Sequence, residues 1–135
     1  MHPKQFIETL NEPKIVAAIN RAEEKTAAQI RVSVSHRNHV NALDAAKRYF
    51  SQSGMDKDPE HRAVLLFFAP RAHSFALWGD PAVHDKVGDA FWQATISKTT
   101  LLLKAGLWSQ AVEDTIDTLG AELALRFPGR APREA

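Results

Sequence analysis

The sequence predicts a single α/β domain with a small mixed sheet, and three observations lead to this prediction. Residues 29–35 alternate polar and apolar side chains, which is typical of a half-buried strand. Residues 64–68 are apolar throughout, as expected for a strand covered on both faces. A helical segment lies between the two, and such a βαβ unit has parallel strands. The short connection 70–73 then predicts that residues 74–78 return antiparallel, as the second strand of a hairpin.

Length, charge and composition limit the classes of protein that the chain can belong to. Its 135 residues suffice for one domain with its own hydrophobic core, which we place at residues 1–127. The net charge is +1, with basic and acidic residues interspersed, so no basic surface for nucleic acid is expected. There are no cysteines, which excludes disulfides and a thiol nucleophile. No apolar run approaches the roughly 20 residues that span a bilayer, and the N-terminus lacks a signal-peptide pattern. We therefore expect a cytoplasmic protein without direct membrane insertion.

About four helices are expected to flank the sheet, and the first two have clear start signals. Asn11 and Pro13 predict the start of a helix that runs to about Lys25, because Asn suits the N-cap and Pro the first turn. Asn41 predicts the start of the helix between the first two strands. Gly54 is placed to end that second helix.

The Asp-Pro pair at 80–81 predicts the start of a third helix, which continues to about Leu103. Within this helix, Gly88 would allow a close approach to the sheet. Apolar residues at helical spacing predict a last amphipathic helix over 108–127. The polar segment 128–135 is expected to be a disordered end of the chain.

The predicted topology brings three strand ends to one edge of the sheet. They are the start of the first strand at Gln29, the start of the second at His61 and Arg62, and the end of the third at Gly79 and Asp80. The third helix begins at the same edge, and unpaired N–H groups give a helix N-terminus a positive dipole end. Arg62, Gly79 and Asp80 therefore form a candidate anion-binding site, for example for phosphate. The favoured alternative is that Asp80 only caps its helix.

A second group of polar residues follows on the same predicted helix. Asp85 and Asp89 lie four residues apart, hence on one helical face, with His84 adjacent. Paired carboxylates can hold a hard cation such as Ca²⁺ or serve as acid and base, although such a face is more often only solvated. His36 and His39 share a loop but lack the spacing and third ligand of a zinc site, so we interpret them as surface residues.

The order of these motifs resembles the TPM domain family, which includes thylakoid-lumen proteins linked to photosystem II repair and many bacterial proteins. The resemblance spans about residues 12–127 and is to the short bacterial branch without a signal peptide or membrane anchor. It implies a compact α/β sandwich. The segments that carry it are Ala22-Glu23, Thr26 to Val32, Ala63 to Ala69, Phe75 to Asp80, and His84 with Val87-Gly88 and Phe91-Trp92.

The resemblance also implies two alternative functions, because plant members have been described as acid phosphatases and as calcium-binding proteins. A weak acid phosphatase would use Asp80 or His84 for acid–base work. A calcium-binding module would use Asp80, Asp85 and Asp89 as ligands of Ca²⁺.

Family members usually carry Glu where Gln29 stands and an Asp/Asn-Gly pair where His61 and Arg62 stand. This chain therefore has less negative charge at the edge in question, which disfavours a cation. Because the sequence contains no convincing catalytic constellation, we favour a non-enzymatic interaction or assembly module that binds a protein partner, with a membrane-associated partner as one option.

Overall fold

A computed structural model describes residues 3–37, 41–57, 62–72 and 74–129. Its sheet has three strands, β1 (Gln29–Val34), β2 (Ala63–Ala69) and β3 (Ser74–Gly79), in the order β1-β2-β3. β1 is parallel to β2, and β3 is antiparallel to β2. The predicted strands, their pairing and the α/β fold class are therefore confirmed.

Six helices occur in the described part of the chain, more than the four predicted. None of them is long and apolar enough to cross a membrane. Short 3₁₀ turns precede β2 at Met55–Lys57 and join β2 to β3 at Pro70–Ala72. The helices are α1 (Pro3–Thr9), α2 (Glu12–Lys25), α3 (Ala42–Gln52), α4 (Pro81–Val87), α5 (Asp89–Lys104) and α6 (Trp108–Arg126).

The central strand β2 is buried along its whole length and divides the core in two. Val64, Leu66 and Phe68 pack in a cluster with α1, α2 and α4–α6 on one face of the sheet. Leu65 and Phe67 pack in a second cluster with α3 on the other face. The sheet is thus the middle layer of three, which explains why β2 has no polar side chain.

Both predicted asparagine caps are confirmed. The side-chain oxygen of Asn11 accepts a hydrogen bond from the Lys14 N–H at 3.2 Å, where α2 begins. The side-chain oxygen of Asn41 accepts one from the Asp44 N–H at 3.1 Å, where α3 begins. Each bond satisfies one of the N–H groups that a helix start leaves unpaired.

The single long helix predicted from residue 81 to about Leu103 is wrong, because Gly88 divides it into α4 and α5. Gly88 has a φ of 84°, in the left-handed region that residues with a side chain rarely adopt. A Cβ placed on Gly88 would meet nothing within 4 Å, so this glycine does not allow a close approach to the sheet as predicted. Its role is to change the direction of the chain between α4 and α5.

The two ends of the domain also differ from the predictions. α1 forms from Pro3 to Thr9, where the sequence indicated only a lead-in to the first helix. Pro128, placed in the disordered end, instead forms a β-bridge with Thr26, and the neighbouring Gly129 N–H donates to the Lys25 carbonyl at 3.1 Å. Residues 130–135 of the predicted disordered end lie outside the described residues.

α2 and α6 pack closely because two small residues face each other. A Cβ added at Gly120 would lie 2.6 Å from the Ala22 Cβ and 3.2 Å from its Cα. Near this contact, the buried hydroxyl of Thr26 lies 3.0 Å from the Leu123 carbonyl oxygen and 2.6 Å from that of Phe127, to which it donates. The C-terminal ends of α2 and α6 are thereby joined.

Replacing Gly120 by alanine tests this close packing. Alanine favours a helix over glycine by about 1 kcal/mol, but the extra methyl group would overlap Ala22. We expect Gly120→Ala to lower the free energy of unfolding by about 1–3 kcal/mol, as overpacking does. Combination with Ala22→Gly should recover part of the loss, since the shorter of the two contacts is then removed. Urea denaturation measures each variant, and a Gly120→Ala protein as stable as wild type would contradict the packing.

Candidate functional site

The three strand ends predicted to share one edge of the sheet do so in the structure. The Gln29 N–H donates to the Arg62 carbonyl at 3.1 Å, and the Asp80 N–H donates to the Ala63 carbonyl at 3.1 Å. Residues Arg62, Gly79 and Asp80 of the predicted anion site therefore lie together, while His61 lies outside the described residues. Anion binding itself stays a prediction.

Asp80 is buried, with 3% of its surface exposed, and its carboxylate has a structural partner. The Oδ2 atom accepts a hydrogen bond from the Ala63 N–H at 3.0 Å. The main-chain carbonyl of Asp80 accepts from the N–H groups of Val83 and His84, at 2.9 and 3.1 Å, and so starts α4. Asp80 is thus the N-cap residue of α4, as predicted, but its side chain makes no cap bond to the helix. Asp80 instead extends the hydrogen bonding between β3 and β2 beyond the last strand residue.

Gly79, the second residue of the predicted anion site, lies against an aromatic ring. A Cβ at this position would be 2.9 Å from the Cη2 atom of Trp92, which is itself buried. The absence of a side chain at Gly79 therefore leaves room for the indole of α5 to pack on the end of β3. Packing against Trp92 alone therefore explains why residue 79 is a glycine, and no bound ligand is needed to explain it.

His84 contacts the start of α5, across the turn at Gly88. Its Nε2 atom lies 3.3 Å from Oδ1 of Asp89, and its ring centroid lies 5.0 Å from that of Trp92. The expectation that Asp85 and Asp89 share a helical face is wrong, because they belong to α4 and α5 respectively. Both aspartates are exposed at the surface.

The predicted Ca²⁺ ligands do not gather into one group in the part of the chain that the structure describes. Ca²⁺ takes 6–8 oxygen ligands, whereas no three His, Cys, Asp or Glu residues there form a group that could hold a metal ion. Oδ2 of Asp80 is already bound to the Ala63 N–H, and Oδ1 of Asp89 lies beside His84. His36 is an exposed loop residue, and its predicted neighbour His39 lies outside the described residues.

A pocket that the sequence did not indicate lies at the opposite end of the strands. It lies where β2 ends and β3 begins, about 20 Å along β2 from the Asp80 edge, and it has a volume of about 130 Å³. We call it the aromatic pocket. It is lined by Phe6, Phe68, Pro70, Ser74, Phe75, Thr100, Leu103, Lys104 and Trp108.

The aromatic rings that line the aromatic pocket contact one another. Phe68 and Phe75 face each other across the β2–β3 hairpin, with centroids 4.9 Å apart. Phe6 of α1 packs on Phe68 at 5.4 Å and on Trp108 at 6.0 Å. The two phenylalanines that flank the hairpin turn were the available sequence signal, but the pocket also needs α1, which the sequence did not predict.

These features define a compact α/β domain, with a three-stranded mixed sheet between α3 and five further helices. The chain belongs to the TPM domain family, whose model matches residues 2–122. It is similar to the BA42 protein of the psychrophilic bacterium Bizionia argentinensis, with 31% identity, a TM-score of 0.81, and coverage of 90% of this chain and 86% of that one.

A second solved structure, the N-terminal domain of the cg2496 protein from Corynebacterium glutamicum, shows the same fold. Its identity is 16% and its TM-score is 0.63, over 81% of this chain and 68% of that one. Comparison with the curated proteins gives no match. The family and the fold are thus established, and a biochemical role has to be argued from the residues of this chain.

Replacing Asp80 tests whether its carboxylate is a structural group. Asp80→Ala leaves the buried Ala63 N–H without an acceptor, so we expect a loss of about 1–3 kcal/mol in the free energy of unfolding. Asp80→Asn keeps an acceptor oxygen and should lose less. Asp85→Ala, at an exposed site in α4, is the matched control and should stay within about 0.5 kcal/mol of wild type. Equal stabilities of Asp80→Ala and Asp85→Ala in chemical denaturation would contradict the structural role.

Proposed function

We propose that this protein is a non-enzymatic interaction module that binds a protein partner at the aromatic pocket. The observation that carries the proposal is the pocket itself, an open cavity with four aromatic residues in its lining. Cavities of this kind, mostly apolar with a few polar groups, are the usual form of a binding site. Aromatic residues are also enriched where protein partners bind.

The surroundings of the pocket support a protein partner. Ile7, Leu101 and Leu107 each adjoin a lining residue in the chain and are 43%, 69% and 46% exposed. Large apolar side chains that are exposed to water leave surface that a macromolecular partner can cover. A small molecule that fits inside the pocket would leave these three side chains exposed.

The burial and the hydrogen bonds of Asp80 also favour a binding function over a catalytic one. A general base has to reach the proton that it abstracts, whereas Asp80 is buried and already accepts the Ala63 N–H. Its main-chain groups are committed to β2 and to the start of α4. The structural bonds of Asp80 therefore account for this residue without a catalytic role.

Charged substitutions at the exposed residues around the pocket test the proposal. We expect Ile7→Asp and Leu107→Asp to reduce the amount of specifically retained partner at least tenfold in affinity capture from a bacterial lysate, because each places a carboxylate on an apolar contact surface. Leu107 occupies the N-cap of α6, where Asp is a preferred residue, so folding should be preserved.

Leu125→Asp is the matched control for these variants. Leu125 is 75% exposed and lies in α6 about 25 Å along the helix from Trp108, so its replacement should leave capture unchanged. Identical captured proteins for wild type, Leu107→Asp and Leu125→Asp would contradict binding at the aromatic pocket.

A second candidate function is a weak acid phosphatase. Its support is that Arg62 and Asp80 lie at the same end of the sheet and that His84 follows in α4. In this hypothesis Arg62 would hold the phosphate group, and Asp80 or His84 would transfer the proton to the leaving group.

Hydrolysis of p-nitrophenyl phosphate distinguishes the two functions. If the protein is an interaction module, the rate should equal that of buffer from acidic to neutral pH, with or without added Ca²⁺. The phosphatase predicts turnover at acidic pH that falls in Asp80→Asn and His84→Gln while both variants remain folded. Such turnover would contradict the proposed non-enzymatic role.

A further inference from the structure

The aromatic pocket contains one charged group, and that group is cationic. Lys104, in the last turn of α5, is the only ionisable residue of the described lining. Its side chain is exposed and has no ion pair or hydrogen bond with any residue that the structure describes. A lysine with this freedom is available to pair with an anion of a bound partner.

The other polar groups near the pocket do not offset this charge. The Thr100 hydroxyl donates to the Ile96 carbonyl of its own helix at 2.8 Å. α6 begins at Trp108 in the pocket wall, and its first turn contains no acidic residue. The described lining of the cavity therefore carries a single charge, which is positive and lies at Lys104, and a negatively charged group on the ligand is complementary to it.

The volume of the cavity matches one aromatic side chain. Its volume is about 130 Å³, close to the cavity of about 150 Å³, lined by aliphatic and aromatic residues, that binds one benzene molecule in an engineered protein. One aromatic ring therefore fits inside it. Because Lys104 lines this same cavity, an anion carried by the residue whose ring enters it would lie next to the lysine.

We propose that the aromatic pocket binds the C-terminal aromatic residue of a partner chain, with the ring in the cavity and the terminal carboxylate on Lys104. This inference rests on the proposed function, since it specifies the chemistry of the partner at the same site. A C-terminal aromatic residue carries both groups, because its α-carboxylate is joined to its own ring through only Cα and Cβ.

Three synthetic peptides test the inference in ligand-observed NMR titrations. They are acetyl-Gly-Gly-Phe with a free carboxylate, the same peptide as its C-terminal amide, and acetyl-Gly-Asp-Phe amide. We expect the free acid to have a Kd about two- to fivefold lower than the amide, the size of effect that a partly exposed ion pair supplies. The difference should shrink at high salt, because salt screens exposed charges.

Substitutions in α5 test whether Lys104 causes the difference in Kd between the free acid and the amide. In Lys104→Gln the free acid and the amide should bind with equal Kd, and in Lys104→Glu the amide should bind more tightly. Lys98→Gln is the matched control, an exposed lysine of the same helix outside the lining, and it should retain the wild-type preference.

Three results would overturn the inference: equal Kd for acid and amide in wild type, a preference that survives Lys104→Gln, or tighter binding of the internal aspartate peptide. None of them affects the proposed function if Ile7→Asp and Leu107→Asp still lose the captured partner. If the wild-type protein shows no preference for the free acid and Ile7→Asp and Leu107→Asp also retain the captured partner, the aromatic pocket is not a binding site.

Discussion

The constraint on which the rest of the structure depends is the complete burial of β2. All seven of its residues are shielded from water, so each main-chain N–H and C=O group needs a partner within the protein. β1 and β3 supply these partners along most of the strand. At the first residue, Ala63, the N–H is paired by the carboxylate of Asp80, which lies one residue beyond the end of β3.

This pairing gives the two ends of the sheet different properties. At the Asp80 end, hydrogen bonds join the start of β2, the end of β3 and the start of α4, and Trp92 packs on Gly79. At the other end, the β2–β3 hairpin meets α1, α5 and α6 without filling the space between them, and the aromatic pocket remains. One end of the sheet is thus occupied by contacts that hold the fold, whereas the other is open to a ligand.

The elements that could be predicted from the sequence are those set by local patterns. Alternation in β1, the apolar run of β2 and the asparagine caps of α2 and α3 all depend on residues close together in the chain. The break at Gly88 could not be predicted with the same certainty, because a glycine inside an apolar helical pattern is compatible with a continuous helix.

The candidate sites show the limit of local reasoning more clearly. The topology correctly brought Arg62, Gly79 and Asp80 to one edge, but the bond from Asp80 to Ala63 joins residues 17 positions apart and has no sequence signature. The aromatic pocket needs Phe6 and Trp108 to meet, and these lie about a hundred residues apart in different helices. Such contacts follow from the packing of the whole domain.

The most direct test of this account is a chemical-shift map of the ¹⁵N-labelled protein, titrated separately with inorganic phosphate and with acetyl-Gly-Gly-Phe. If one end of the sheet is structural and the other binds, the peptide should shift the amide signals of Phe75, Lys104 and Trp108 in a saturable way, and phosphate should leave Ala63 and Asp80 unchanged. Saturable phosphate shifts at Ala63 and Asp80, with no peptide shifts at the aromatic pocket, would contradict the account.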